Sequence, residues 1–283
     1  MIRIYPLIFI LLWSSAFITT KPIVDNSDPF SALAFRFFIV SIGFYLFSIY
    51  SKQSVITSKQ IFTESILSGV LFHGVYLGGV FFSISIGMPT GLAALIVTLQ
   101  PILTNLLSGP ILNEKVTIKQ WIGILLGFTG SIFVLGFDLG KNIPIQGLIA
   151  TIVALIAITS STIWQKKLGN KTSLVVNNFY QAIGGCLFHV LIIIFLVKPY
   201  INFSSTFIIA MTHQVLLVSF GAFTILMFLI KKNSASKTVS IFFLIPPVSA
   251  LMAWIFLDET LTSIDIFGFL IASLGVYIAT QNK

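Results

Sequence analysis

The sequence predicts an all-α integral membrane protein: ten transmembrane helices arranged as two inverted five-helix repeats, with both termini cytoplasmic. Three observations carry this. Only 8% of the 283 residues are charged and 57% are hydrophobic, where a soluble domain carries roughly 25% charged residues, so the chain cannot cover a water-facing surface. Lipid offers the backbone no hydrogen bonds, which leaves helices or a closed barrel. The apolar runs last about twenty residues, a helix crossing, and do not alternate over about ten as barrel strands would. Finally, LNEKVTIKQWIG at Leu112 returns as LDETLTSIDIFG at Leu257.

The spans run roughly over 4–22, 31–50, 62–84, 88–111, 118–137, 145–164, 174–197, 206–230, 235–257 and 264–281. The first, MIRIYPLIFILLWSSAF, has the basic start and small residues of a signal peptide, but nine more spans follow, so it reads as a retained helix. The second follows DNSDP and holds Arg36, the one fully charged side chain well inside a span. The third follows SKQSVITSK; Glu64 lies near its start, and His73 and Tyr76 lie deeper, three residues apart and hence on one face. The fourth follows GMPTG and has Gln100 and Pro101 near its middle. The fifth carries Gly123, Gly127 and Gly130, and the tenth Gly268, Ala272 and Gly275, small-residue faces that predict close helix packing. The single Cys186 of the seventh span forms no intrachain disulfide and reads as a packed thiol. Pro246 and Pro247 interrupt the ninth. The links are short and rich in turn formers, leaving no room for a soluble domain.

Charge placement sets the topology. With the N-terminus inside, twelve basic residues fall on the cytoplasmic side, from Arg3 through the Lys166–Lys167 and Lys231–Lys232 pairs to Lys283, and only Lys21, Lys141 and Lys198 fall outside. This is the positive-inside pattern. It accounts for the net charge of +8 without a nucleic-acid partner, and none is expected.

At an offset of 145 residues, nine of the 32 positions from Leu99 to Gly130 are identical, among them Pro101/Pro246, Glu114/Glu259, Thr117/Thr262, Gly123/Gly268 and Gly130/Gly275. The halves are taken as 1–140 and 141–283. Five spans is an odd number, so the second half enters the membrane from the opposite side. Inverted repeats are the architecture of many secondary transporters, with the solute held near the midplane between the halves. Glu114 and Glu259 then face opposite sides, and each reads as a polar stop between two helices, not as part of one chemical site.

GLAALIVTLQPILTNLLSGPILNEKVTIKQWIGILLGFTGSIFVL closes the first half, and SASKTVSIFFLIPPVSALMAWIFLDETLTSIDIFGFLIASLGVYIAT closes the second. With WSSAF at Trp13 and ALAFRFF around Arg36, the chain resembles the EamA-type ten-helix transporters of the drug/metabolite transporter superfamily over nearly its whole length. The resemblance implies a basket whose cavity is lined by helices one, three and four of each half. It also implies transport of small metabolites, often export of amino acids or related compounds.

Polar groups inside spans are costly unless paired or facing water, and they mark the candidates. Trp13, Ser14, His73, Tyr76 and Gln100 are the expected substrate contacts. For Gln100 an interhelical hydrogen bond is the plainer alternative, and for His73 helix packing. Pro101 and Pro246 are the expected hinges. Arg36 and Glu64 are possible charge sites: Arg36 either has a structural role, pairing within the bundle or snorkelling to the outer headgroups, or holds an anionic group, and Glu64 is either a solvated helix-start residue or a coupling carboxylate. HExxH, GxSxG, a Walker loop and a Cys/His metal cluster are missing; no enzyme activity, metal or cofactor is expected. The expected function is export of an amino acid or related amphipathic compound across the inner membrane by alternating access. The expected partners are the small-molecule substrate, the lipid bilayer, and a coupling proton or exchanged solute. The alternatives are a carrier of an anionic or nucleotide-like solute bound through Arg36 and a non-transporting scaffold.

Overall fold

The computed structural model describes residues 4–88, 90–135, 143–168, 171–257 and 262–281. These residues are helical apart from short links and one isolated antiparallel bridge, Ser27 to Ile201. The helices are α1 Tyr5–Asn26, α2 Pro29–Tyr50, α3 Lys59–Ser85, α4 (90–112), α5 Ile118–Leu135, α6 Ile145–Leu168, α7 Leu174–Leu196, α8 Ser205–Lys232, α9 (235–257) and α10 Ser263–Thr280. Among the described residues nine are long and apolar enough to cross a membrane, and α5 is a shorter apolar helix.

Local chemistry sets the boundaries. The Asp28 carboxylate accepts the Ser31 N–H at 2.7 Å with Pro29 in the first turn, so α2 starts at 29 rather than 31. Ser173, 145 residues on, caps α7 through the Val176 N–H at 3.2 Å. Thr117 and Gln120 cap each other's backbone N–H at the start of α5 (2.9 and 3.2 Å). Thr262 and Asp265 form the same reciprocal box on α10. The threonine shared by the two repeated stretches is therefore a helix start in both.

Four helices are irregular. Proline lacks an N–H and clashes with the preceding turn; accordingly α4 breaks in a turn at Thr98–Leu99, just before Pro101. In α9 a 3₁₀ turn, Ile241–Leu244, comes just before Pro246. No proline explains the other two: α3 contains a π-helical segment Val70–Tyr76, and α8 one at Gln214–Ala222.

α1 packs on α8 and α9, α6 packs on α3 and α4, and α2–α7, α4–α9 and α5–α10 pair directly. At the α5–α10 crossing backbone meets backbone. A Cβ on Gly130 would lie 2.3 Å from the Ala272 nitrogen, and one on Gly275 2.3 Å from the Gly127 nitrogen, so only residues without a side chain allow this approach.

At the lysine-rich end, Asn113 adopts the left-handed conformation (φ 56°) that Asn tolerates at a helix C-terminus and turns the chain out of α4. The next residue, Glu114, accepts the N–H groups of Ala235 at 2.9 Å and Ser236 at 3.3 Å. Together with Ser234, which accepts from Lys237 at 3.2 Å, it satisfies the open donors of α9. Glu114 is thus more than a stop: it ties the end of α4 to the start of α9. Its counterpart Glu259 lies outside the described residues. Glu114→Ala should lower stability by about 1–2 kcal/mol, the range for losing an N-terminal cap, and should speed amide hydrogen exchange at Ala235 and Ser236 more than elsewhere.

Candidate functional site

A half-open cavity lies among α1, α2, α3 and α8, with room for water centres of about 40 Å³ inside an outline of about 500 Å³ that includes open solvent. Its lining runs from about midway along these helices toward the end that carries the Ser27–Ile201 bridge.

Helical spacing puts Trp13, Phe17 and Thr20 of α1 on one wall. The π segment of α3 presents Phe72, His73 and Tyr76, and that of α8 presents Gln214, Val218 and Ser219, with Phe223 one turn on. A π turn displaces the regular backbone bonds and is frequent at functional sites. Here the His73 carbonyl accepts from His189 Nε2 of α7 at 2.9 Å. The glycines around His73 serve packing: a Cβ on Gly74 would strike the Phe188 ring at 2.7 Å, and one on Gly185 would lie 2.4 Å from His73 Cβ. In the stretch HGVYLGGVFF, from His73 to Phe82, the glycines face neighbouring helices while His73 and Tyr76 line the cavity.

Arg36 enters from α2. It is 3% exposed, its Nε donates to Ser219 Oγ at 2.9 Å, and its Cζ lies 5.3 Å from the Phe37 ring. It turns inward and does not snorkel. The floor is aromatic: Trp13 packs 5.2 Å from Phe9, 6.0 Å from Phe72 and 5.9 Å from Phe242, and Phe72 lies 5.0 Å from Phe223.

The other candidates lie apart from the lining. Gln100 donates to Thr162 Oγ1 of α6 at 2.9 Å. Ser14 donates to the Ile245 carbonyl at 3.2 Å, joining α1 to α9 beside Pro246. Glu64 pairs with Lys171 at 3.3 Å near the lysine-rich end. Pro101 and Pro246 sit in the irregular helices but not on the cavity.

Gln214, Ser219, Phe223 and Thr20 were not singled out from the sequence. Gln214 and Ser219 are polar residues in the apolar run HQVLLVSF, the signal that could have found them. A second buried polar set lies between the aromatic floor and the lysine-rich end. Ser68 Oγ and Ser161 Oγ lie 3.1 Å apart, Gln165 donates to Ser68, and Asn177 donates to Gln165 at 3.0 Å. All four are at most 6% exposed. A second hollow, between α2 and α8 at Phe35, Phe207 and Met211, is almost wholly apolar and opens beside exposed Ile208 and Leu216.

A model described as the EamA-like transporter family matches residues 3–136 and again 145–281. The chain is 23% identical over 282 residues to a probable amino-acid metabolite efflux pump of Salmonella typhimurium, covering 96% of this chain and 92% of that protein. It is 26% identical over 232 residues to an uncharacterized transporter, YvbV, of Bacillus subtilis, covering 78% of this chain and 71% of the relative. A solved crystal structure matches with a TM-score of 0.81 at 18% identity, over 99% of this chain and 97% of its own, a likeness of fold.

Proposed function

The chain belongs to the EamA-like transporter family, a multi-pass membrane protein that carries a small molecule, and from that premise we propose that it exports an amino acid or a related amphipathic metabolite across the inner membrane by alternating access. The observation that carries this is the cavity: a half-open space between helices, lined by Trp13, Arg36, His73 and Tyr76 from the first half and by Gln214, Ser219 and Phe223 from the second. A space shared by both halves changes shape when they move against each other. The name of the Salmonella relative, "Probable amino-acid metabolite efflux pump", supports the substrate class and the direction.

The halves, 1–140 and 141–283, act as an inverted repeat. Supporting this, the helix pairs α1–α8 and α6–α3 exchange when five is added to each helix number, as do α1–α9 and α6–α4, and the π segments of α3 and α8 stand about 145 residues apart. Both termini and the lysine-rich end are cytoplasmic. The aromatic floor is the closed inner gate, and Ser68, Ser161, Gln165 and Asn177 line the route beyond it. Buried polar side chains at membrane depth are costly and mark solute pathways, which is the reason to read this set as a route. The irregular turns before Pro101 and Pro246 are the bending points. Transport is coupled to an ion or an exchanged solute.

Proteoliposomes holding the purified chain should show saturable flux of at least one compound from a panel of radiolabelled amino acids and their derivatives. Trp13→Ala, which opens both the wall and the floor, should lower kcat/KM at least tenfold while the protein remains folded. Absence of saturable flux in either direction across the panel would overturn the reading.

A further inference from the structure

The cavity carries a charge imbalance. A guanidinium has five N–H donors; the Nε of Arg36 meets Ser219, and its two Nη groups hydrogen-bond to no described residue. No described carboxylate comes within ion-pair distance of it: Lys21–Asp25 and Lys171–Glu64, ion pairs among the described residues, both lie toward the ends of the bundle. Arg36 is also the one Lys or Arg on the lining. Opposite in polarity is Gln214, 1% exposed. Its Nε2 donates to the Ala16 carbonyl and to Thr19 Oγ1, both at 2.9 Å, which fixes the amide and leaves Oε1 as a buried acceptor without a partner. Most of the remaining wall is aromatic or aliphatic.

We infer that the cavity takes an amphipathic monocarboxylate of net charge −1 that also bears a neutral N–H donor, such as an N-acylated amino acid. Its carboxylate is held by Arg36, its N–H by Gln214 Oε1, and its apolar body by Trp13, Phe72 and Phe223. This rests on the transport reading and narrows its substrate. A buried cation is costly until paired, and a carboxylate meets a guanidinium through two parallel hydrogen bonds. With a monoanion bound, the desolvated site is neutral. A free amino acid is a zwitterion: it leaves the site at +1 and brings an ammonium that finds no carboxylate among the lining side chains. A phosphate monoester or nucleotide brings two or more negative charges to a site with one arginine. The aromatic wall and the Gln214 acceptor separate the proposed ligand from a plain fatty acid, which has a carboxylate but no N–H.

Four probes share one ring and differ in charge: N-acetyl-L-phenylalanine (−1), L-phenylalanine (zwitterion), L-phenylalaninamide (+1) and phenyl phosphate (−2). Dodecanoate is the fatty-acid arm. Binding is read on the full chain in nanodiscs by intrinsic tryptophan fluorescence and by thermal shift. N-acetyl-L-phenylalanine should bind at least tenfold tighter than the other four. Arg36→Gln should remove that preference. Gln214→Glu, which supplies the missing anion, should move it toward L-phenylalanine, and this second variant keeps the test open if Arg36→Gln fails to fold. Equal or tighter binding of any of the other four, or a preference that survives Arg36→Gln, would overturn the assignment. If no probe binds while proteoliposomes still move another panel solute, the ligand assignment falls and the transport reading stands. If N-acetyl-L-phenylalanine binds with the expected preference but nothing crosses the membrane, the ligand site stands and transport falls.

Discussion

Gly275→Leu should leave little folded protein. A Cβ at Gly275 would sit 2.3 Å from the Gly127 nitrogen, 2.6 Å from the Gly123 carbonyl oxygen and 2.8 Å from Gly127 Cα. These are backbone atoms of a facing helix and cannot rotate away. α5 and α10 would have to separate along their whole crossing, and in lipid little but packing holds two apolar helices together. We expect a cost of at least about 3 kcal/mol, the upper range for overpacking a well-filled core, read as loss of the monodisperse peak in detergent and a collapse of the unfolding temperature. Gly109→Ala is the internal control. There the nearest atom to a new Cβ is the Glu114 carbonyl oxygen at 3.8 Å, an ordinary contact, and alanine in a helix is favoured over glycine by about 0.5–1 kcal/mol. One glycine substitution should therefore abolish folding while another raises stability slightly. An equal effect of the two would mean that the α5–α10 crossing is not the constraint.

The same contrast shows how much of the molecule was legible in the sequence. Span order, the small-residue crossing and the proline breaks follow from local rules: hydrophobic length, missing side chains and missing N–H groups. The Thr117 and Thr262 caps were visible as matched positions and became intelligible as helix starts once their reciprocal bonds to Gln120 and Asp265 were seen. Polar residues within spans were legible only as residues needing a partner. A buried amide or hydroxyl in lipid has two remedies, a neighbouring helix or a cavity, and periodicity does not choose between them. Gln100 and Ser14 take the first, His73 and Tyr76 the second. The π segments of α3 and α8 had no signal, because such a turn is held by contacts between helices, such as the His189 bond to the His73 carbonyl. Glu114 was found through its repeat partner, but the helix it caps begins 121 residues later, a pairing no local pattern specifies.

Arg36→Met should make the protein more stable and leave its cavity unable to hold a carboxylate. Placing an arginine near the membrane centre costs about 2.5–3.5 kcal/mol on insertion scales, and removing it forfeits one hydrogen bond to Ser219, worth about 1 kcal/mol net. The unliganded variant should gain about 1.5–2.5 kcal/mol from these two terms. Methionine is long and flexible enough to fill the space against Phe37, so the gain should not be lost to a void. Thermal unfolding with and without N-acetyl-L-phenylalanine reads both effects at once. The wild type should melt lower when empty and rise with ligand, because whatever binds only the folded state stabilises it by mass action. The variant should melt higher when empty and not respond. A purely structural arginine, kept for its bond to Ser219 and its stacking on Phe37, predicts the opposite sign in the empty protein: lower stability on substitution. A residue that destabilises the fold until its counterion arrives belongs to the site, because only binding returns what its burial costs.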